Sequence, residues 1–278
     1  ISLNDVGDLT YPYQSLDGQT QTLNNILEGN HDISKEIINS KKPIIIIGES
    51  ILRLKSSDFL FNKMKEFLSK NNKISDEWNS LNILSTDAAT VGNFDLGLIN
   101  NENNLISDLK EHKFDIVYLV GQDNLEFDKK DEFIIYQGSH GDKGAESADI
   151  ILPGAAYTEQ DGYFTNLEGK IQKAFKASYP PGEAKEDWQI INELAEFMNN
   201  RKLFNDKDEL ESSMFNYLNL QKEKQVNDIN NSTNEFQNET LIIKVKDYYF
   251  SNVIARSSKT MVECNNSKLN LKSTGTEG

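Results

Sequence analysis

Residues 133–173, FIIYQGSHGDKGAESADIILPGAAYTEQDGYFTNLEGKIQK, decide the fold class of this chain. Two apolar runs in this stretch, 133–136 and 148–152, have the β-branched and aromatic content of buried strands. The loop between them, 138–144, carries a glycine at every third position and must bend sharply. Such loops often bring the backbone close to a ligand or to another backbone, so this loop is the first candidate for function.

Three more apolar runs, at 44–47, 81–84 and 115–120, precede this stretch. The first is β-branched throughout and is followed by glycine, which predicts a strand buried on both faces of a parallel sheet. Apolar residues at helical spacing lie between these runs, over 60–68 and near 105–110. Strands that alternate with helices indicate right-handed crossover connections. The sequence therefore predicts an α/β fold with a doubly wound, mostly parallel sheet.

The remaining elements follow from spacing and turn residues. The segment 162–173 predicts two strands around an Asn/Glu/Gly turn, and no helix is expected between the strands at 133–136 and 148–152. Ser57 or Asp58 is predicted to cap the helix at 60–68. Apolar stripes predict further helices at 23–27, at 33–38, after a cap at Asp187, and at 208–220.

A strongly polar segment divides the chain near its end. Residues 221–240 are nearly all Asn, Gln, Lys, Glu, Ser and Thr, a composition typical of flexible linkers. The predicted domains are accordingly an α/β region at 1–220, a flexible linker at 221–240 and a tail at 241–278. A strand is expected at 241–245, and the few bulky residues after it predict that the tail docks on a partner or across its own domain.

Composition excludes several classes of partner and site. The net charge of −15 argues against nucleic acid or an anionic membrane as the main partner, because both require clustered Lys and Arg. Cys264 is the single cysteine, which excludes an internal disulfide and any iron–sulfur cluster or zinc site built from cysteines of this chain. No apolar run approaches the ~20 residues that a membrane-spanning helix needs.

The glycine-rich loop has two interpretations. Its glycines do not match the dinucleotide fingerprint, whose first two glycines are separated by one residue. Ser139, His140 and Lys143, with nearby backbone N–H groups, could meet an anion there. Alternatively, the loop only connects two strands at a sheet edge, and the sequence favours neither interpretation.

Other polar residues have structural explanations. His31 and His112 lack metal-ligand spacing and are expected at the surface. Three carboxylates lie near the loop, but turn carboxylates are more often solvated than catalytic; they are Glu159, Asp161 and Glu168. No nucleophile elbow or phosphate-binding P-loop occurs. We therefore assign no residue of this chain as catalytic, cofactor-binding or metal-binding.

Four segments carry a resemblance to a known family: IIYQGSHGD at 134–142, ADIILPGAAYTE at 148–159, NLEGKIQ at 166–172, and PPG at 180–182 with EDW at 186–188. They resemble the large iron–sulfur subunit of respiratory complex I, NADH:ubiquinone oxidoreductase. Shorter matches extend the resemblance over nearly the whole chain: DLTY at 8–11, KKP at 41–43, and tail segments at 247–251 and 255–261.

The resemblance implies a molybdopterin-oxidoreductase fold, of which this chain matches the later part, incomplete at the N-terminus and without the cluster-binding domains. In true molybdopterin oxidoreductases, loops around such motifs face the pterin, but Lys170 stands here where Arg is common. The resemblance therefore implies a scaffold that has lost its cofactor, with the 138–144 loop lining a pocket that is empty or filled by side chains. Iron–sulfur clusters are expected in a missing N-terminal portion or in a partner chain.

The implied function is a structural part of the peripheral arm of complex I, on the matrix side of the mitochondrial inner membrane. It would scaffold cluster-bearing subunits, including the other half of the same subunit, and support NADH:ubiquinone electron transfer. Because the chain starts at Ile1, it is expected to be a split-gene product or an excerpt, with exposed apolar sheet edges. The alternatives are a molybdopterin-dependent enzyme fragment that keeps its cofactor at 138–144 and 166–172, and a nucleotide-binding regulatory module.

Overall fold

The computed structural model describes residues 1–98, 105–125, 128–224, 235–242 and 247–271. The chain forms two compact units. The first unit comprises residues 1–91, 165–170 and 225–245. The second comprises residues 92–164, 171–224 and 246–278. In both units, helices pack beside short parallel strands, which confirms the predicted α/β class.

The first unit is built on a two-stranded sheet. Strand β1 (Ile45–Gly48) pairs in parallel with β2 (Leu81–Leu84). The helices beside it are α1 (Thr20–Leu27), α2 (Asp32–Asn39), α3 (Glu49–Leu52) and α4 (Ser57–Lys70). The apolar stripe of α4 buries Met64, Phe67 and Leu68 in one cluster with Ile47 and Leu27. Spacing of three and four residues along α4 places its large side chains on this one face.

The second unit is built on a three-stranded parallel sheet in the order β3–β4–β5. The strands are β3 (Ile116–Val120), β4 (Phe133–Gly138) and β5 (Ile150–Pro153). The helices before and within this part are α5 (Thr90–Asp95), which spans the boundary between the units, α6 (Leu105–Lys110) and α7 (Lys143–Ser147). Leu119, Ile134 and Tyr136 are buried together and form the core on one face of this sheet.

A hairpin and four helices complete the described part of the chain. Strands β6 (Gly162–Thr165) and β7 (Ile171–Ala174) form the predicted hairpin. The helices are α8 (Asp187–Asn199), α9 (Lys207–Lys224), α10 (Val253–Ser257) and α11 (Lys259–Leu271). The rings of Tyr163 and Phe215 meet edge to face with centroids 5.2 Å apart, so α9 packs against β6.

The strands predicted for one sheet are divided between two sheets. One consequence is that β1 is not buried on both faces, as its sequence predicts: Ile47 is 4% exposed, but Ile46 is 60% exposed. Side chains alternate between the faces of a strand, and in this two-stranded sheet only one face of β1 packs against the helical core. The β-branched run determined the strand but did not determine what covers it.

Three local predictions were wrong. A short helix, α7, connects β4 and β5, because the Asp142 carboxylate accepts the Lys143 N–H (2.9 Å) and begins a helix too brief for apolar periodicity. The N-cap of α4 is Ser56, one residue before the predicted pair. The N-cap of α8 is Glu186, which forms a capping box with Gln189.

The predicted linker differs from the structure at both ends. Helix α9 continues to Lys224, since Gln, Lys and Glu are strong helix formers. Residues 237–241 are hydrogen-bonded within the first unit, where the Thr20 N–H donates to the Glu239 carbonyl (2.9 Å). Residues 225–234 and the later part of the predicted 241–245 strand lie outside the described residues. Leu241 and Ile242 are not in a strand.

Candidate functional site

In the second unit, the loops that follow β3 and β4 meet outside the carboxyl ends of these strands, at the edge where open parallel sheets bind ligands. Gly121 ends β3 with φ +63°, a conformation that favours glycine, and Asp123 follows it. Asp142 follows β4 and begins α7. The Gly144 N–H donates to the Asp123 carbonyl (3.0 Å), which joins the two loops. We call the space bordered by Asp123, Asp142 and Gly144 the strand-end crevice.

Arg256, from helix α10, closes this crevice. Its Nη2 lies 2.8 Å from Asp123 Oδ1, and its Nε lies 2.7 Å from Asp142 Oδ2. A third donor, Nη1, reaches the Phe250 carbonyl at 3.3 Å. The single guanidinium therefore pairs with both carboxylates, and its hydrogen bond is the main cause that lowers the pKa of Asp142. The strand-end crevice is occupied by a side chain of the protein itself.

Tyr136 fills the space beneath the glycine-rich loop. A Cβ on Gly138 would lie 2.3 Å from Tyr136 Oη, and a Cβ on Gly144 would lie 2.6 Å from the Gln122 carbonyl oxygen. The Tyr136 hydroxyl donates to the His140 carbonyl (3.0 Å). Burial raises the pKa of Tyr136, and the Asp123 and Asp142 carboxylates raise it further. The close approach of Tyr136 thus explains Gly138, and that of Tyr136 and the Gln122 carbonyl explains Gly144.

A second polar cluster lies on the other face of β4. Buried Gln137 donates from Nε2 to Asp187 Oδ1 (2.7 Å), and its Oε1 accepts from the Tyr118 hydroxyl. Gln160 Nε2 donates to Asp187 Oδ2 (2.8 Å), and the Asp187 N–H donates back to Gln160 Oε1 (3.1 Å). Burial raises the pKa of Tyr118, and the Asp187 charge adds to this. The polar groups of this cluster thus supply one another with hydrogen-bond partners. The bonds also join α8 to the sheet.

The predicted anion-binding residues are not brought into one nest. Ser139 Oγ lies 2.9 Å from His140 Nδ1, and both belong to the loop before α7. Lys143 is exposed and is the first residue of α7, where its N–H is accepted by the Asp142 carboxylate. A carboxylate therefore takes the place at which an anion would bind this backbone.

Both histidines predicted at the surface have structural partners. His31 is partly buried and caps α2, because its Nδ1 accepts the Ile33 N–H (3.2 Å). His112 is half-buried, and its Nδ1 lies 2.5 Å from the carboxylate of Glu132, which is 4% exposed. Both histidines are therefore less exposed than the sequence predicts.

The three carboxylates near the loop are not gathered. Glu159 accepts the Ala156 N–H (2.9 Å), and Asp161 accepts the Lys176 N–H (2.7 Å). Glu168 lies in the exposed turn between β6 and β7. Cys264 is exposed on α11. Over the described ranges, no three His, Cys, Asp or Glu side chains are close enough together to hold a metal ion.

Sequence analysis missed Arg256, Asp123 and Asp142 as a group. One signal was available: both carboxylates follow neighbouring parallel strands, whose carboxyl ends meet at one sheet edge. Nothing local to Arg256 indicated its partners, which lie 133 and 114 residues away in the chain. None of the helices in the described part of the chain has the length and apolar character to cross a bilayer.

Comparison with known proteins gives two matching family profiles. The molybdopterin oxidoreductase profile matches residues 1–197, and the profile of the C-terminal region of an NADH-ubiquinone oxidoreductase subunit matches residues 209–264. The NADH-ubiquinone oxidoreductase 75 kDa subunit of Reclinomonas americana is 36% identical over 95% of this chain and 40% of its own length. An NADH-quinone oxidoreductase subunit of Rickettsia bellii is 35% identical over 96% of this chain and 39% of its own length.

A third relative is the mitochondrial NADH-ubiquinone oxidoreductase 78 kDa subunit of Candida albicans, 35% identical over 95% of this chain and 38% of its own length. The chain thus spans about 40% of the length of the curated relatives it matches. The molybdopterin oxidoreductase profile covers most of the chain. The chain therefore belongs to the molybdopterin oxidoreductase family, where it is similar to the 75 and 78 kDa subunits of NADH-ubiquinone oxidoreductases.

Proposed function

We propose that this chain is a structural, cofactor-free part of the peripheral arm of respiratory complex I. It holds cluster-bearing and neighbouring subunits in place during NADH:ubiquinone electron transfer, on the matrix side of the mitochondrial inner membrane. Its partners are other peripheral-arm subunits, among them the cluster-bearing half of the same subunit. The similarity to 75 and 78 kDa subunits along 95% of the chain supports this assignment.

The observation that carries the cofactor-free assignment is the ion pairing of Arg256. A pterin cofactor in the strand-end crevice needs free donors and space there, but the guanidinium is bound to Asp123 and Asp142 at 2.8 and 2.7 Å. Tyr136 occupies the space below the loop, where even a Cβ on Gly138 would lie 2.3 Å from its hydroxyl oxygen. The residues of this crevice therefore do not fit a bound pterin, and we derive no chemistry from one.

Metal analysis of the assembled complex tests this proposal. We expect a tagged form of the full chain to co-purify with NADH:ubiquinone oxidoreductase activity in mild detergent. Mass spectrometry of the purified material should find iron but no stoichiometric molybdenum or tungsten. Stoichiometric molybdenum with extractable pterin would overturn the cofactor-free assignment. Recovery of the chain only as a free monomer, apart from the respiratory complex, would overturn the structural role.

A further inference from the structure

The two faces of the β3–β4–β5 sheet are covered unequally. Leu119 pairs in register with Tyr136, and both are buried on one face. Ile116 pairs with Phe133 on the other face, where they are 64% and 42% exposed. Ile150, opposite Ile135, lies on that same face because side chains alternate along a strand, and it is 45% exposed. This face is therefore apolar and partly exposed near the start of the strands, whereas the Tyr118–Gln137–Asp187 hydrogen bonds lie on it toward the strand ends.

Along β5, Leu152 lies on the same face as Ile150 and borders helix α8. A cavity of about 670 Å³ lies beside the end of β5 and α8, and it is lined mainly by Leu152, Pro153, Ile190, Leu194 and Phe197. Ile190, Leu194 and Phe197 recur at helical spacing and lie on one face of α8. Exposure rises along this stripe, from 8% at Ile190 to 88% at Phe197. The cavity is therefore an open groove, which we call the β5–α8 groove.

The chemistry of the groove indicates what covers it. Parallel sheets are normally covered on both faces by helices. At the rim, Glu193 pairs with Lys185 (2.6 Å), but the exposed Glu183 has no hydrogen-bond or ion-pair partner among the described residues. The rim therefore carries an unneutralised negative charge, as the whole chain does with its net charge of −15.

We propose that the β5–α8 groove binds an amphipathic helix of another subunit. Apolar residues of that helix, spaced three and four apart, would pack on Leu194 and Phe197, and a basic residue would face Glu183. This inference rests on the proposed function and deepens it, because it names the surface and the kind of element that the scaffold holds.

Two other occupants fit less well. A strand added to the edge of β5 would meet the segment that already pairs there, since the Lys185 N–H donates to the Pro153 carbonyl (3.1 Å) and Lys185 accepts the Ala155 N–H (2.8 Å). The exposed apolar residues also lie on the face of three strands and not along one edge. A second copy would bring together two chains that each carry a net charge of −15, which like-charge repulsion opposes.

Photocrosslinking within the assembled complex tests the inference. Benzoylphenylalanine replaces Phe197 in the full, tagged chain, and the matched control places it at Phe175, which is 76% exposed in the same unit but away from the groove. We expect the probe at 197 to crosslink to a helical segment of another subunit that carries Lys or Arg. We expect the probe at 175 not to reach that segment.

A charge substitution supplies the second measurement. Phe197→Glu should lower the fraction of the chain retained in the complex about tenfold, as expected when a central apolar contact is lost, whereas Phe175→Glu should not. Crosslinking of residue 197 to a second copy, to a strand or to nothing would overturn the inference, as would equal retention of both variants. If the wild-type chain itself fails to co-purify, the proposed function fails instead, so the two failures are distinguishable.

Discussion

Gly144 has room only for a hydrogen atom where other residues carry a Cβ. A Cβ there would lie 2.6 Å from the Gln122 carbonyl oxygen and 3.0 Å from the Tyr136 ring. Ala is favoured over Gly in a helix by about 1 kcal/mol, but overpacking of this kind costs about 1–3 kcal/mol. We expect Gly144→Ala to lower the free energy of unfolding, measured by urea denaturation of the purified chain.

Gly141 provides the control three residues earlier in the same loop. A Cβ on Gly141 would have no neighbour within 4 Å, so Gly141→Ala should change the free energy of unfolding by less than about 0.5 kcal/mol. Equal denaturation midpoints for the two variants would show that the approach of Gly144 to Tyr136 does not constrain folding.

Glu132 gives the chain a stability term that depends on pH. Its carboxylate accepts the Lys130 N–H (2.7 Å), which is the main reason that its pKa is lowered to about 2; its own N–H and the hydrogen bond with His112 contribute next. A carboxyl whose pKa falls on folding stabilises the protein above its unfolded pKa, and this contribution is lost as pH falls through the folded value. The loss should therefore occur between about pH 4.5 and pH 2.

The variant Glu132→Gln isolates this contribution. We expect it to be less stable than the wild type at neutral pH, and the difference between the two urea midpoints should shrink as pH falls from about 5 toward 2. The exposed Glu183, changed to Gln, serves as the control and should match the wild type throughout. A midpoint difference that stays constant over this pH range would contradict the role of Glu132.

At the scale of elements, Arg256 fixes helix α10 to the strand-end crevice. Removing the guanidinium leaves Asp123 and Asp142 close together without a counter-charge, since its two ion pairs at 2.8 and 2.7 Å are lost. We expect Arg256→Ala to destabilise this packing by about 1–3 kcal/mol. Hydrogen exchange of residues 253–257 should accelerate.

Arg201 is the matched control, because it is an exposed arginine of the same unit. Arg201→Ala should leave exchange in α10 unchanged. If α10 exchanges equally slowly in both variants, the helix is held by contacts other than Arg256.

The segment 236–241 stabilises the first unit through hydrogen bonds to residues far away in the chain, as Arg256 stabilises the second unit. The Glu239 carboxylate accepts the N–H groups of Lys55 and Ser56 (both 3.3 Å) and the Ser56 hydroxyl (3.1 Å) at the start of α4. These donors would otherwise be unpaired at a helix N-terminus. We expect Glu239→Ala to cost about 1–2 kcal/mol of stability and to speed proteolysis near residue 237. The control Glu235→Ala removes a neighbouring exposed carboxylate and should change neither the stability nor the rate of proteolysis.

At the scale of the whole molecule, charge is the dominant long-range term. The 44 acidic residues exceed the 29 basic residues by 15, so the folded chain repels itself. Salt shortens the range of this repulsion from about 30 Å at 0.01 M to about 8 Å at 0.15 M. We expect the melting temperature at pH 7 to rise over this range of NaCl, measured by calorimetry. The rise in melting temperature with salt should be smaller near pH 5. A melting temperature that falls with added salt at pH 7 would show that local ion pairs dominate.

Most of the secondary structure and the family were predictable from sequence. The run of isoleucines at β1 and the apolar stripe of α4 are local patterns, because strand and helix place residues on one face at fixed spacings of two, or of three and four. The segments 134–142 and 148–159 indicated the family for the same reason: each is contiguous in the chain. Regular local patterns were thus predictable from sequence, whereas the short helix α7 and the N-caps Ser56 and Glu186, which carry no such period, were not.

The contents of the strand-end crevice were decided only by tertiary structure. Arg256 meets Asp123 and Asp142 across more than 100 residues, and Glu239 meets Ser56 across 183. No local spacing encodes such pairs, because they depend on where two complete elements come to rest against each other. The glycine-rich loop shows the difference most clearly. Its sequence fits an anion nest or a plain connection equally well, whereas the packed structure places a tyrosine ring beneath it and an arginine across it.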